Sequence, residues 1–203
     1  MIKAVLFDMD GVLIDSYGMW FRRFNHARKH FGFENVSKEE YADRIWAVSF
    51  KINKPIYFPG VTHKQLTDFY MRSSGETLKN LKLMKNAKKT VKDLKDKGIR
   101  LAIVSNTQER IAEDILENMG IGEYFEIIIG GDSVKKGKPE PDGILAAIKR
   151  LGVKKDEAVM IGDTIFDKKA AENADVRFIG FRYDRGVDDL SEITERIKCL
   201  QRE

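Results

Sequence analysis

Apolar residues come in two rhythms along this chain. The first is the unbroken run: Ala4-Val5-Leu6-Phe7, and then 101–104, 127–129 and 158–161. Such runs lack the alternation of a half-exposed strand and predict strands buried on both faces of a parallel sheet. Strands are expected at 4–7, 100–104, 126–129, 158–161 and 176–179. The second rhythm is helical and fills the gaps between them. It predicts helices at 86–97 with Gly98 as stop, 108–119 ending at Gly120, 141–151 ending at Gly152, one reaching about Ala174, and one over 192–200. Strands alternating with helices imply an α/β fold, a Rossmann-like parallel sheet covered by helices on both faces.

Residues 17–84 break that alternation. Trp20, Phe21, Phe24, Ala27 and Phe31 recur at helical spacing before Gly32. Ser37-Lys38-Glu39-Glu40 is a capping-box pattern opening a second helix through Trp46. Lys54-Pro55 and Pro59-Gly60 predict a loop. Thr62-His63-Lys64-Gln65 opens a third helix carrying Leu66, Phe69 and Tyr70, and a short fourth is expected near 77–81. No strand is expected here, so 17–84 is an all-helical insert between core segments 1–16 and 85–203.

Composition narrows the class. At 203 residues there is room for one full domain and a small insertion. The balance of 42% hydrophobic and 33% charged residues is that of a soluble globular protein. The net charge of +4 is dispersed among acids on helix faces, which argues against a nucleic-acid partner. A lone cysteine, Cys199, excludes an internal disulfide and suits a reducing compartment. With no membrane-length apolar run and no signal-peptide pattern, the expected location is cytoplasmic and no membrane partner is expected.

The chemistry gathers at predicted strand ends, where open α/β sheets bind ligands. Asp8 and Asp10 flank one residue and precede Gly11; two carboxylates this close favour a divalent cation between them. Ser105-Asn106-Thr107 opens a helix, and is either an ordinary N-cap or a holder of phosphoryl oxygens. Two prolines stiffen Lys136-Gly137-Lys138-Pro139-Glu140-Pro141-Asp142 and would hold a lysine in place. Asp163 and Asp167 sit four apart after the strand at 158–161. They are either metal ligands or acids meeting a helix N-terminus.

Taken in order, these stretches resemble the four motifs of the haloacid dehalogenase-like phosphatases, in the branch of phosphoglycolate phosphatase and β-phosphoglucomutase. The resemblance covers the core and matches the insert to that branch's small helical cap. It implies an Mg²⁺-dependent phosphatase acting on small phosphorylated metabolites. Asp8 would be the nucleophile, forming an aspartyl-phosphate, and Asp10 the general acid/base. Ser105, Asn106 and Lys138 would hold the phosphoryl group, with Lys135 and Lys136 weaker alternatives to Lys138. Asp8, the Asp10 carbonyl and Asp163 would bind Mg²⁺, with Asp167 a further ligand or an orienter.

Asp10 argues against dehalogenation. Trp20 occupies the place of the histidine usual in the mutases, which makes a phosphosugar mutase the lesser alternative. A non-enzymatic phosphate-binding scaffold is the competing class. Tyr17, Met19, Trp20, Arg22, Arg23 and Arg44 are candidate readers of substrate, although Trp20 equally suits a buried anchor. His26, His30 and His63 are read as structural or surface residues. Either a monomer or a small homo-oligomer is compatible with the sequence.

Overall fold

The computed structural model describes residues 1–72 and 81–200. The short helix expected near 77–81 lies outside the described residues, apart from Leu81. In chain order come β1 (Ala4–Phe7), β2 (Ile14–Asp15), α1 (Tyr17–His30), α2 (Lys38–Arg44), α3 (Phe50–Tyr57) and α4 (His63–Arg72). After these follow β3 (Lys82–Leu83), α5 (Ala87–Asp96), β4 (Arg100–Val104), α6 (Glu109–Asn118), β5 (Ile127–Ile129) and α7 (Asp142–Leu151). The chain closes with β6 (Ala158–Gly162), α8 (Ile165–Ala174), β7 (Arg177–Gly180) and α9 (Ile193–Leu200).

Five strands form one parallel sheet in the order β5-β4-β1-β6-β7. β1 is central, and its Phe7 stands level with Ile103 and Ile161. The unbroken apolar runs now have their reason. Val5 and Phe7 face one core, with Ile111 and Ile115 of α6 and Val91 and Leu94 of α5. Ala4 and Leu6 face the other, with Ile144 and Ala147 of α7 and Ala170 and Ala174 of α8. Both faces are dry, so both sets of alternating positions must be apolar.

Helices α1–α4 pack on one another through aromatic side chains. Phe24 meets Tyr41, Tyr57 and Phe58 at ring-centroid distances of 5.5, 5.5 and 5.2 Å. Ser37 caps α2 by accepting the Glu40 N–H, and Thr62 and Gln65 bond reciprocally at the start of α4.

Two expectations for this segment are corrected. Lys54-Pro55 lies inside α3 instead of in a loop. Pro55 removes a single N–H from this short helix, and its ends remain tied. Ser49 O accepts from Ile52 and Asn53, and Lys54 O accepts from Phe58. A strand also occurs where none was expected: β3 pairs antiparallel with β2, Ile14 opposite Leu83 and Asp15 opposite Lys82. Two residues are too few to show a period. The chain thus leaves towards α1 and returns towards α5 through one narrow ribbon.

Among the described residues, no helix is long and apolar enough to cross a membrane.

Candidate active site

β1 delivers its two acids through a tight loop. Asp8 N–H still donates to Ile161 O in the sheet direction, 2.8 Å away. The chain then bends, with Leu13 and Ile14 N–H both donating to Met9 O. Gly11 sits at the bend with φ +86, and a Cβ there would collide with the Asp163 carboxylate. At the end of β6, a Cβ on Gly162 would collide with Asp167 Cβ. Gly11 lets the Asp163 carboxylate of the neighbouring strand approach the β1 loop, and Gly162 lets Asp167 fold back against its own strand end.

Lys138 joins them. Its Nζ lies 2.7 Å from Asp8 Oδ1 and 2.5 Å from Asp167 Oδ1, and the side chain is 6% exposed. Burial alone would depress this ammonium, but Asp167 and Asp8 outweigh it and raise its pKa, so the lysine is charged. The acids outnumber it. Burial lifts the Asp8 carboxyl well above the ordinary range; Lys138 pulls it back, and Asp167, Asp163 and Asp10 push it further up. Burial and the Asp167 charge together push Asp163 up to about 7. Excess negative charge in a dry place is relieved by a proton or by a cation.

The donor set fits a cation such as Mg²⁺. Carboxylate oxygens of Asp8, Asp163 and Asp167 lie within 4.8 Å of one another. Asp163 Oδ1 is buried and has no hydrogen-bond partner. Hard oxygen ligands of this kind suit Mg²⁺. Asp167 is placed differently from the other two. Its Oδ1 takes Lys138, and its Oδ2 accepts both the N–H and the hydroxyl of Thr164. With both oxygens engaged, Asp167 anchors Lys138 and caps α8.

Asp10 sits among three donors. Ser16 Oγ and Trp20 Nε1 donate to its Oδ1 at 2.6 and 2.7 Å, and Thr107 Oγ1 donates to its Oδ2 at 2.8 Å. Trp20 therefore both anchors α1 and reaches the site. Trp20 stands where the resemblance places the mutase histidine that engages this acid, so the sequence carried a signal for its reach. Thr107 lies 97 residues from Asp10 and had no such signal.

Ser105 is 5% exposed, and its oxygen accepts the Thr107 N–H at 3.0 Å. Its own O–H remains a donor for a ligand. The Asn106 amide is already engaged, donating to Ala47 O and Lys138 O, each at 3.0 Å. It braces the lysine loop against the inserted helices. Lys135 and Lys136 are exposed on the surface.

Of the candidate substrate readers, Trp20 lines the cavity above Asp8 and Tyr17 lines a neighbouring one. Met19 is buried, while Arg22 and Arg44 are exposed. Arg23 is buried, with Nη2 donating to Tyr70 O and the guanidinium over the rings of Trp20 and Tyr70. His26 and His30 pack against Phe69, and His63 against Phe50.

A central β1 carrying the acids, crossover helices on both faces and a helical segment inserted after the first loop are the marks of the haloacid dehalogenase-like hydrolases. The chain belongs to that family, whose sequence pattern matches residues 5–181. It is 28% identical to the phosphorylated carbohydrates phosphatase of Thermotoga maritima, over 88% of this chain and 84% of that protein. It is also 28% identical to a phosphoglycolate phosphatase of Vibrio parahaemolyticus, over 96% and 95% of the two chains. Among solved structures it resembles a variant of CbbY from Rhodobacter sphaeroides in complex with xylulose 1,5-bisphosphate. That likeness has a TM-score of 0.80 at 25% identity, covering 95% of this chain and 96% of that one.

Proposed function

We propose that this protein is an Mg²⁺-dependent phosphatase that hydrolyses small phosphate monoesters through an aspartyl-phosphate on Asp8. The observation that carries this reading is Lys138, buried and fixed between Asp8 and Asp167 at the edge where Asp163 leaves an oxygen without a partner.

In the first step an Asp8 oxygen bonds to phosphorus while the bond to the ester oxygen breaks. Asp10 gives its proton to that departing oxygen. In the second step Asp10 takes a proton from water, whose oxygen attacks phosphorus and returns Asp8 as a carboxylate. Lys138 offsets charge on the transferring group, and the Ser105 hydroxyl with the Asn106 backbone N–H holds a phosphoryl oxygen. Asp8, the Asp10 carbonyl and Asp163 would hold Mg²⁺, which supplies electrostatic stabilisation of phosphoryl oxygens. Asp167 keeps Lys138 in place.

Residues 17–84 would act as a lid that opens for a small metabolite and closes to exclude water. The ribbon of β2 and β3 gives such a lid one pivot. In support, Asn106 to Ala47, Gln108 to Thr67 and Lys51 to Val134 O hold the insert against the core.

Trapping the intermediate tests the covalent step. Borohydride added during turnover should reduce the acyl phosphate and convert Asp8, and no other aspartate, to homoserine. Full turnover with Asp8 left unreduced means direct attack by water on the ester.

A further inference from the structure

Between the sheet edge and the inserted helices lies a cavity of about 130 Å³. Asp8, Asp10, Ser105 and Lys138 form its floor. Over them stand Trp20, Phe24, Tyr41, Trp46, Phe50 and Tyr70, with aliphatic side chains between. These rings support one another edge to face. Trp20 and Phe50 each meet Tyr70, at 6.2 and 6.4 Å, and Phe24 meets Tyr41 at 5.5 Å. The roof is therefore a rigid aromatic surface that needs little ordering on binding. Among the described residues, Lys54 is the one charged side chain the roof adds.

Two of the amides that line the cavity are already engaged, while the buried Asn106 Oδ1 keeps an acceptor without a partner. The Asn53 amide donates to Ile45 O and Val48 O at 3.0 and 3.3 Å. The Gln108 amide donates to Thr67 Oγ1 at 3.0 Å. A polyhydroxylated leaving group would bring more hydroxyls than that acceptor can pair, each unpaired one lowering kcat/KM by about tenfold. An apolar ring gains instead from leaving water. A buried apolar cavity of about 150 Å³ takes up benzene, so a cavity of about 130 Å³ that also seats the phosphoryl group takes nothing larger than one ring.

We propose that this site selects phosphate monoesters of a compact, hydroxyl-poor alcohol carrying a single apolar or aromatic ring, and that its aromatic roof sets this preference. The proposal rests on the phosphatase reading above and adds the substrate class to it. The phosphoryl group sits on the floor and the ring against Trp20, Phe50 and Tyr70. Lys54 leaves room for one polar substituent.

The test compares benzyl phosphate, glucose 6-phosphate, glycerol 3-phosphate and 2-phosphoglycolate on the intact protein with Mg²⁺. All four release a primary alcohol, so shape and polarity vary more than leaving-group chemistry. Benzyl phosphate should exceed glucose 6-phosphate by about 10²-fold in kcat/KM, the effect of two unpaired hydroxyls. It should exceed the other two by about tenfold, the scale of ring burial in an apolar pocket. Phe50→Ala should shrink the benzyl-to-glycerol ratio several-fold, and Phe50→Leu should restore part of it. As a readout without turnover, non-hydrolysable benzylphosphonate should raise Tm more than methylphosphonate at equal concentration. Equal or faster hydrolysis of glucose 6-phosphate or 2-phosphoglycolate overturns the substrate class and leaves the phosphatase standing. No phosphate from these four or from p-nitrophenyl phosphate overturns both.

Discussion

Replacing Asp163 by asparagine should stabilise the metal-free protein and at the same time remove its response to Mg²⁺. The first effect follows from the buried Oδ1 that has no partner and from a carboxyl pushed up to about 7 by burial and Asp167. At pH 8 the folded protein must keep this group ionised. Against an ordinary aspartate value of about 3.9, that costs on the order of 4 kcal/mol at about 1.4 kcal/mol per pH unit. The new amide still lacks a full set of partners, which takes back about 1–3 kcal/mol. A net gain of about 1–3 kcal/mol remains, or a Tm rise of roughly 2–12 °C for a chain of this size. The sign depends on pH. A carboxyl raised on folding removes stability as pH climbs from its unfolded value to its folded one. The gain should therefore be absent near pH 4 and full above about 7. With Mg²⁺ at a hundred times its Kd the wild type should gain about 2.7 kcal/mol, and the variant almost nothing. Thermal unfolding in EDTA at pH 4.5 and pH 8, followed by an Mg²⁺ titration, measures both. A variant less stable than wild type at pH 8, or one that keeps the wild-type Mg²⁺ shift, would refute the reasoning.

Asp167→Asn should move stability the other way, losing about 3–5 kcal/mol and roughly 6–20 °C in Tm, because Lys138 is left buried with one partner fewer. If its Mg²⁺ affinity fell as far as that of Asp163→Asn, Asp167 would be a ligand and not an anchor. Trp20→Phe keeps a ring but removes a donor from Asp10, and kcat should fall about 5–10-fold. An unchanged kcat would show that Ser16 and Thr107 suffice to hold that acid. Asp189 accepts from Asn86 and Ser191 and pairs with Lys85, which holds its carboxyl well below the usual range. Asp189→Ala should lower Tm at pH 7. Because the depressed group stabilises in full only above its unfolded pKa, the difference should shrink progressively below about pH 4. A difference constant from pH 7 to pH 2.5 would remove the charge from the explanation.

The sheet was legible because burial on both faces leaves an unmistakable mark. β1, β4 and β6 read as continuous apolar runs, and the observed bounds depart from the expected ones by a residue at most. α2 and α4 were legible for a local reason, since Ser37 and Thr62 cap them with their own side chains. α3 and β3 were not, because tertiary partners hold them: Asn53 reaches Ile45 and Val48, and Lys82 pairs with Asp15. In the site, strand ends alone bring Asp8, Asp163 and Ser105 to one edge, and the loop after β5, braced by Asn106, carries Lys138 there. The direction of a side chain after a strand end has no signature in the sequence. Asn106 turns to Ala47 and Lys138, and Asp167 to Lys138 and Thr164.

The two-residue ribbon of β2 and β3 also bears on how the chain finds its fold. β1 must pair with β4, and Ala4 meets Arg100 across a loop of about a hundred residues. Loop-closure entropy grows as the logarithm of that length. Once Ile14 stands opposite Leu83, the inserted helices are tied off at their base and the effective loop is about thirty residues. The entropic penalty for the later step of joining the central strands then drops by roughly 1 kcal/mol, while the cost of closing the ribbon falls to the packing of the inserted helices. The smallest sheet in the molecule is thus a clasp that lets the largest one assemble as though the insert were absent.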